Sequence, residues 1–122
     1  MNLSGIILYV QDIERLSKFY EEHFHFEVAE ESLPYWILLK SGGAELGLHK
    51  AGVAMDISAG NAGENNNAKL IFETEEDIVM LREKLKSKQI QVREIKTWDD
   101  YDYWLCDGVD PEGNVFQIKQ KK

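Results

Sequence analysis

The chain has 122 residues, 43% of them hydrophobic and 30% charged, with 14 Lys and Arg against 22 Asp and Glu. That length supports a compact core without disulfide or metal staples, and the composition excludes disordered, collagen-like and disulfide-scaffold classes. A formal net charge of −8 repels phosphate, so neither nucleic acid nor an anionic membrane surface is an expected partner.

In chain order, residues 6–10 form an apolar, β-prone run with no basic region before it and Asp12 close behind, the pattern of a strand and not of a signal peptide. Asp12 stands where a helix N-cap should, ahead of Ile13, Leu16 and Tyr20 at helical spacing. Segment 24–30 alternates weakly, 35–39 is apolar and β-prone, and 44–49 follows Gly42 and Gly43, which predict a hairpin turn. Gly and Asn then cluster without a sustained period, which predicts a linker over about 51–67. After it the pattern restarts. Residues 69–74 read as a strand, and Ile78, Leu81 and Leu85 repeat the helical spacing. Thr74 with Asp77 fits a capping box, Glu75 and Glu76 suit the positive helix end, and Lys84, Lys86 and Lys88 suit the negative one. Residues 89–96, 103–107 and 114–119 predict three strands, the last two joined by a type I turn at Asp110, Pro111, Glu112 and Gly113. No apolar stretch approaches the roughly 20 residues that cross a bilayer, and a single cysteine offers no internal disulfide. The expected location is the cytoplasm.

An internal repeat of about half the chain predicts a single domain over 1–122, made of two βαβββ modules at about 1–50 and 68–122 that bury their open sheets against each other. Four motifs stand in this frame: Tyr9-Val10-Gln11-Asp12 leading into Phe19-Tyr20, then His23-Phe24-His25-Phe26, then Phe72-Glu73-Thr74-Glu75-Glu76, and finally Asp110-Pro111-Glu112-Gly113-Asn114. In these the sequence resembles the vicinal oxygen chelate superfamily, which includes glyoxalase I, bleomycin-resistance and fosfomycin-resistance proteins and extradiol dioxygenases. The resemblance covers almost the whole chain and implies an α+β fold, with the paired modules forming a curved mixed sheet around a cleft. His25 stands where the family usually has a helix-ending glycine, and histidine is among the residues enriched in left-handed conformations.

Side chains alternate faces along a strand, so parity separates the residues under the helices from those lining the cleft. Ile6, Leu8, Val10, Leu46, Leu48, Leu70, Phe72, Phe116 and Ile118 are assigned to the helix side. Gly5, Ile7, Tyr9, Glu45, Gly47, His49, Lys69, Ile71, Glu73, Val115, Gln117 and Lys119 are left for the cleft.

Metal-dependent members of the family carry His, Gln or Glu at one position on each of the first, fourth, fifth and eighth strands. The resemblance aligns these with Gly5, Gly47, Lys69 and Gln117. Glycine offers no ligand and a lysine cation opposes a divalent ion, which leaves the weak amide oxygen of Gln117. The expectation is no catalytic residue, no metal and no cofactor. His23 and His25 read as helix-terminal groups that suit the helix dipole, and Cys106 as a small buried hydrophobe in an apolar strand.

One run stands out: Trp98, Asp99, Asp100, Tyr101, Asp102, Tyr103 and Trp104 interleave four aromatics with three carboxylates, and Tyr35 and Trp36 add two more rings. Flat rings beside carboxylates suit a planar or cationic organic molecule through stacking, cation–π attraction and charge pairing. The bleomycin-resistance proteins that the sequence resembles sequester a cationic drug without chemistry, which points the same way. The expected function is binding of a small organic molecule by a homodimer, with Tyr9, Trp36, His49, Glu73, Trp98, Asp102, Tyr103, Trp104 and Gln117 as ligand-binding residues. Two rivals remain open. One is a metal-dependent lyase or thiol transferase like glyoxalase I or the fosfomycin-resistance proteins, with a displaced metal site near His49, Glu73 and Glu45 and with Glu73 as general base. The other is a regulatory or interaction module with a vestigial cleft.

Overall fold

The computed structural model describes residues 1–52 and 68–122. The chain divides into two compact units, Met1–Ser58 and Ala59–Lys122. The expected linker at about 51–67 lies, from residue 53 on, outside the described residues.

In the first unit, strand β1 (Gly5–Val10) runs into helix α1 (Ile13–Phe24), followed by β2 (Glu27–Ser32), β3 (Trp36–Ser41) and β4 (Ala44–Lys50). The Asp12 side chain accepts from the Arg15 amide at 3.0 Å and so fixes the start of α1. His25 ends the helix in the left-handed region at φ 56°, the conformation expected of the residue that replaces the usual glycine. The helix buries Ile13, Leu16, Phe19 and Tyr20 against Leu8, Val10, Ile37, Leu39, Leu46 and Leu48, which form the apolar face of a sheet ordered β1-β4-β3-β2. β1 pairs with β4 in parallel, and the other neighbours are antiparallel. Gly42, at φ 57°, supplies the left-handed turn between β3 and β4. Ile6 has the parity of this buried face but stays about half-exposed. The Leu33–Pro34 peptide is cis.

The second unit carries β5 (Lys69–Thr74), α2 (Ile78–Ser87), β6 (Tyr103–Val109) and β7 (Val115–Lys121). The sheet order is β5-β7-β6, with β5 parallel to β7 and β6 antiparallel to it. Its core places Ile78 and Leu85 of α2 with Cys106, Phe116 and Ile118.

Two expectations need correction here. Helix α2 begins later than a cap at Thr74 would have it. Asp77 is itself the N-cap, accepting from the Met80 amide at 2.9 Å, while Thr74 Oγ1 accepts from the Glu76 amide at 3.0 Å in the preceding turn. Glu75 and Glu76 therefore precede the first helical turn. Residues 89–96 form no continuous strand but meet β6 through two isolated bridges, Val92 to Gly108 and Lys96 to Leu105. The stretch from 92 to 96 is one residue longer than the stretch of β6 facing it, and an extra residue breaks a regular ladder.

The turn into β7 forms as expected. Asp110 Oδ1 accepts from the Glu112 and Asn114 amides at 2.9 Å each, and the Gly113 amide donates to the Asp110 carbonyl at 2.9 Å. Buried Asp110 thus satisfies the turn's own backbone donors. Among the described residues no helix is long and apolar enough to cross a membrane.

Candidate ligand-binding site

Each unit leaves one sheet face uncovered by its helix, and strand parity decides which side chains stand there. In the first unit these are Ile7 and Tyr9 on β1, Glu45, Gly47 and His49 on β4, and Trp36, Leu38 and Lys40 on β3, in the pairs Ile7–Gly47, Tyr9–His49, Trp36–His49, Leu38–Gly47 and Lys40–Glu45. Ile7 is 50% exposed and Tyr9 47%. The His49 ring lies 5.2 Å from Tyr9 and 6.2 Å from Trp36, so three of the expected ligand-binding residues share one aromatic cluster. The Trp36 indole reaches diagonally over Gly47. A Cβ at that position would overlap the indole, lying 2.8 Å from Cζ3 and 3.1 Å from Ile7 Cγ1. Glycine is therefore what allows the ring to lie on the sheet. The indole N–H donates to Glu30 Oε2 at 3.0 Å and fixes the ring's edge.

The open face of the second unit is polar. It carries Lys69, Ile71 and Glu73 on β5, Val115, Gln117 and Lys119 on β7, and Tyr103, Leu105 and Asp107 on β6. Asp107 organises it. Lys69 Nζ donates to Asp107 Oδ2 at 2.9 Å, across β7, and Gln117 Nε2 donates to Asp107 Oδ1 at 2.8 Å. Burial pushes the Asp107 carboxyl up, but the hydrogen bonds from Lys69 and Gln117 and the charges of Lys69 and Arg93 outweigh it and hold the group below its ordinary value. Farther along, Lys119 Nζ lies 3.1 Å from Glu73 Oε2 and 4.7 Å from the centre of the Tyr103 ring. The Glu73 carboxylate raises the Lys119 pKa above its ordinary value. Tyr103 continues into a line of rings, 5.8 Å to Tyr101 and then 5.6 Å from Tyr101 to Trp98.

Not every expected residue joins these faces. Trp104 has the parity of Cys106 and Gly108, so it stands on the opposite side of β6 from Tyr103, with Lys122 Nζ 5.2 Å from its ring centre. Adjacent residues in a strand cannot share a face, and the run of aromatics is therefore divided. Asp102 lies just before β6, where its carbonyl accepts from the Lys122 amide at 2.8 Å. Asp107 and Glu30 are the residues that sequence reading missed. For Asp107 the signal was an acid among apolar residues in a strand, at the parity of Tyr103.

The residues at the family's metal positions do not fit a divalent ion. Gly47 lies under an indole, the Lys69 cation and the Gln117 amide nitrogen are both turned to Asp107, and Gly5 has no side chain. Among the described residues, no group of three His, Cys, Asp or Glu side chains is placed to hold a metal. Cys106 is buried and its thiol is pushed up, first by that burial, which disfavours the nucleophilic thiolate.

The sequence model of the Glyoxalase/Bleomycin resistance protein/Dioxygenase superfamily matches residues 2–118. The chain belongs to that superfamily. No curated protein matches it. Among solved structures it is similar to FosX, a genomically encoded fosfomycin resistance protein from Listeria monocytogenes, with a TM-score of 0.78 and 15% identity over 100% of this chain and 94% of that one. It is also similar to a lactoylglutathione lyase from Agrobacterium tumefaciens, at 0.75 and 17% over 98% and 92% of the two chains. TnmS3, an antibiotic binding protein from Streptomyces sp. CB03234, matches at 0.74 and 20% over 100% and 97%. At these identities the likeness is one of fold, and it fits the α+β architecture described above.

Proposed function

We propose that this protein binds a small planar or cationic organic molecule on its open sheet faces without a metal ion. The observation that carries the reading is the Trp36 indole laid over Gly47. A position that holds a ligand side chain in metal-dependent relatives here supports an aromatic platform, flanked by Tyr9 and His49 and held at its edge by Glu30. Flat rings with a carboxylate at the rim favour planar and cationic partners. That TnmS3, with the same fold, is an antibiotic binding protein supports the same class of function. The lyase or transferase reading finds less support, since the general base it calls for, Glu73, is paired with Lys119.

The test combines elemental analysis with titration. Protein purified without chelator should carry no stoichiometric Zn, Ni, Mn or Fe, and 10-methylacridinium, a planar cation, should quench tryptophan emission saturably, with or without chelator. Stoichiometric metal that is lost on substituting Glu73 or His49 would overturn the reading. So would a panel of planar and cationic molecules, glycopeptide drugs included, that neither quenches emission nor shifts the melting temperature.

A further inference from the structure

The mismatch at the family's metal positions has a chemical content of its own in the second unit. Lys69 does not merely fail as a ligand. Its ammonium is held in place by Asp107, whose other oxygen is held by Gln117, so a cation is fixed on the open face by the protein itself. An ammonium has three donors, and Asp107 takes one of those on Lys69. The Lys69 side chain keeps 40% of its exposure, which leaves the remaining donors accessible. The charge balance limits what they can accept. Lys69 is neutralised by Asp107 and Lys119 by Glu73, and the chain as a whole carries −8. A carboxylate brought to Lys69 would sit beside Asp107, which already neutralises that cation, whereas a neutral acceptor oxygen would meet no such repulsion. Ile71, 62% exposed and paired with Gln117, offers apolar surface beside the donors.

We infer that Lys69, oriented by Asp107 and Gln117, is a specificity-determining residue that receives a neutral carbonyl oxygen of a planar ligand. The inference rests on the binding function proposed above and names the functional group that this function selects.

Acridone and acridine test it, because they share a planar three-ring frame, and acridone presents a carbonyl oxygen where acridine offers as acceptor only its ring nitrogen, flanked by the outer rings. By equilibrium dialysis at pH 8, where acridine is neutral, the wild-type protein should bind acridone about tenfold tighter, the effect of a hydrogen bond from a charged donor. Lys69→Met should bring the ratio near one. A purely structural role for Lys69 would lower the melting temperature and leave the ratio as it was, and that result overturns the inference. Should Lys69→Met not fold, Asp107→Asn provides the second arm. It frees the lysine charge, so acridine-9-carboxylate should bind at least fivefold tighter than to wild type, and no gain overturns the inference. If 10-methylacridinium binds and acridone shows no advantage over acridine, this inference fails while the binding function stands. If none of the probes binds, the binding function fails and this inference falls with it.

Discussion

The two open sheet faces are built on the same frame and carry opposite chemistry. In both units a first strand lies parallel to the last strand of its sheet, and the registers can be laid over one another. Gly5, Ile7 and Tyr9 correspond to Lys69, Ile71 and Glu73, while Glu45, Gly47 and His49 correspond to Val115, Gln117 and Lys119. The middle isoleucines, Ile7 and Ile71, are both exposed. Around them the first unit has Gly47 roofed by an indole and one exposed ion pair between Lys40 and Glu45, and the second has two ion pairs and an amide. Backbone pairing and burial of the helix-facing side chains fix the frame and leave the other parity free to vary, so one fold supports unrelated chemistries.

The sharpest way to break the comparison is to fill a glycine on each side of the frame. Gly108 lies under Phe116 on the helix side of β6, and a Cβ there would stand 2.7 Å from Phe116 Cε2 and 2.9 Å from the Gln91 carbonyl oxygen. Phe116 is fully buried and cannot swing away, so Gly108→Ala is expected to cost about 3 kcal/mol, the upper end for overpacking a core. Gly47→Ala meets a ring that is not fully buried and has solvent to move into, so about 1 kcal/mol is expected from the same cause. Urea unfolding measures both, and Gly47→Ala should also alter tryptophan emission because Trp36 is displaced. Equal costs would mean that the open face is packed like the core.

A smaller effect separates the faces by pH. The Asp107 carboxyl is held below its ordinary value of 3.8 in the folded protein, against the opposing push of burial, by Lys69 and Gln117. A depressed folded value means that its stabilisation is fully present above the unfolded pKa and is lost as pH falls through the folded one. The stability difference between wild type and Asp107→Asn should therefore be constant from pH 7 to pH 5 and shrink below about pH 4. A difference that persists at lower pH would show that the variant acts by packing and not through the ionised carboxylate.

The sequence made the frame legible where the signals are local. The Asp12 cap, the left-handed His25 and the turn around Asp110 each depend on a few neighbouring residues, and each forms as its residue types dictate. What could not be read depends on partners distant in sequence. The segment 89–96 has strand composition, but one extra residue against β6 interrupts its ladder, and that count exists only once the two are paired. The site follows the same rule. Parity placed Tyr9, His49, Lys69 and Gln117 on open faces, whereas the carboxylate that ties Lys69 to Gln117 sits on β6 and required the register. The aromatic run 98–104 was read as one feature, yet alternation along β6 sends Trp104 to the side away from Tyr103.

The weakest expected effect concerns the other ion pair of the second unit. The hydrogen bond to Glu73 raises the Lys119 pKa above its ordinary value of 10.5, burial opposes it, and the charges of Glu73, Tyr103 and Tyr101 add to it. A raised folded value for a lysine means that its contribution is fully present below the unfolded pKa and disappears as pH rises through the folded one. The stability difference between wild type and Glu73→Gln should thus hold steady up to about pH 10 and decline above it. Tyrosines ionise in the same range, but they do so in both proteins, so the difference isolates the pair. This pair lies on an exposed surface, where solvent and salt screen the attraction and holding two long side chains costs entropy. Raising salt at pH 8 should therefore erase most of the difference, while the Lys69–Asp107 pair, with the Asp107 side chain only 20% exposed, should resist salt more. If both pairs respond equally to salt, Asp107 is no better shielded than Glu73, and the fixed cation at Lys69 loses its physical basis.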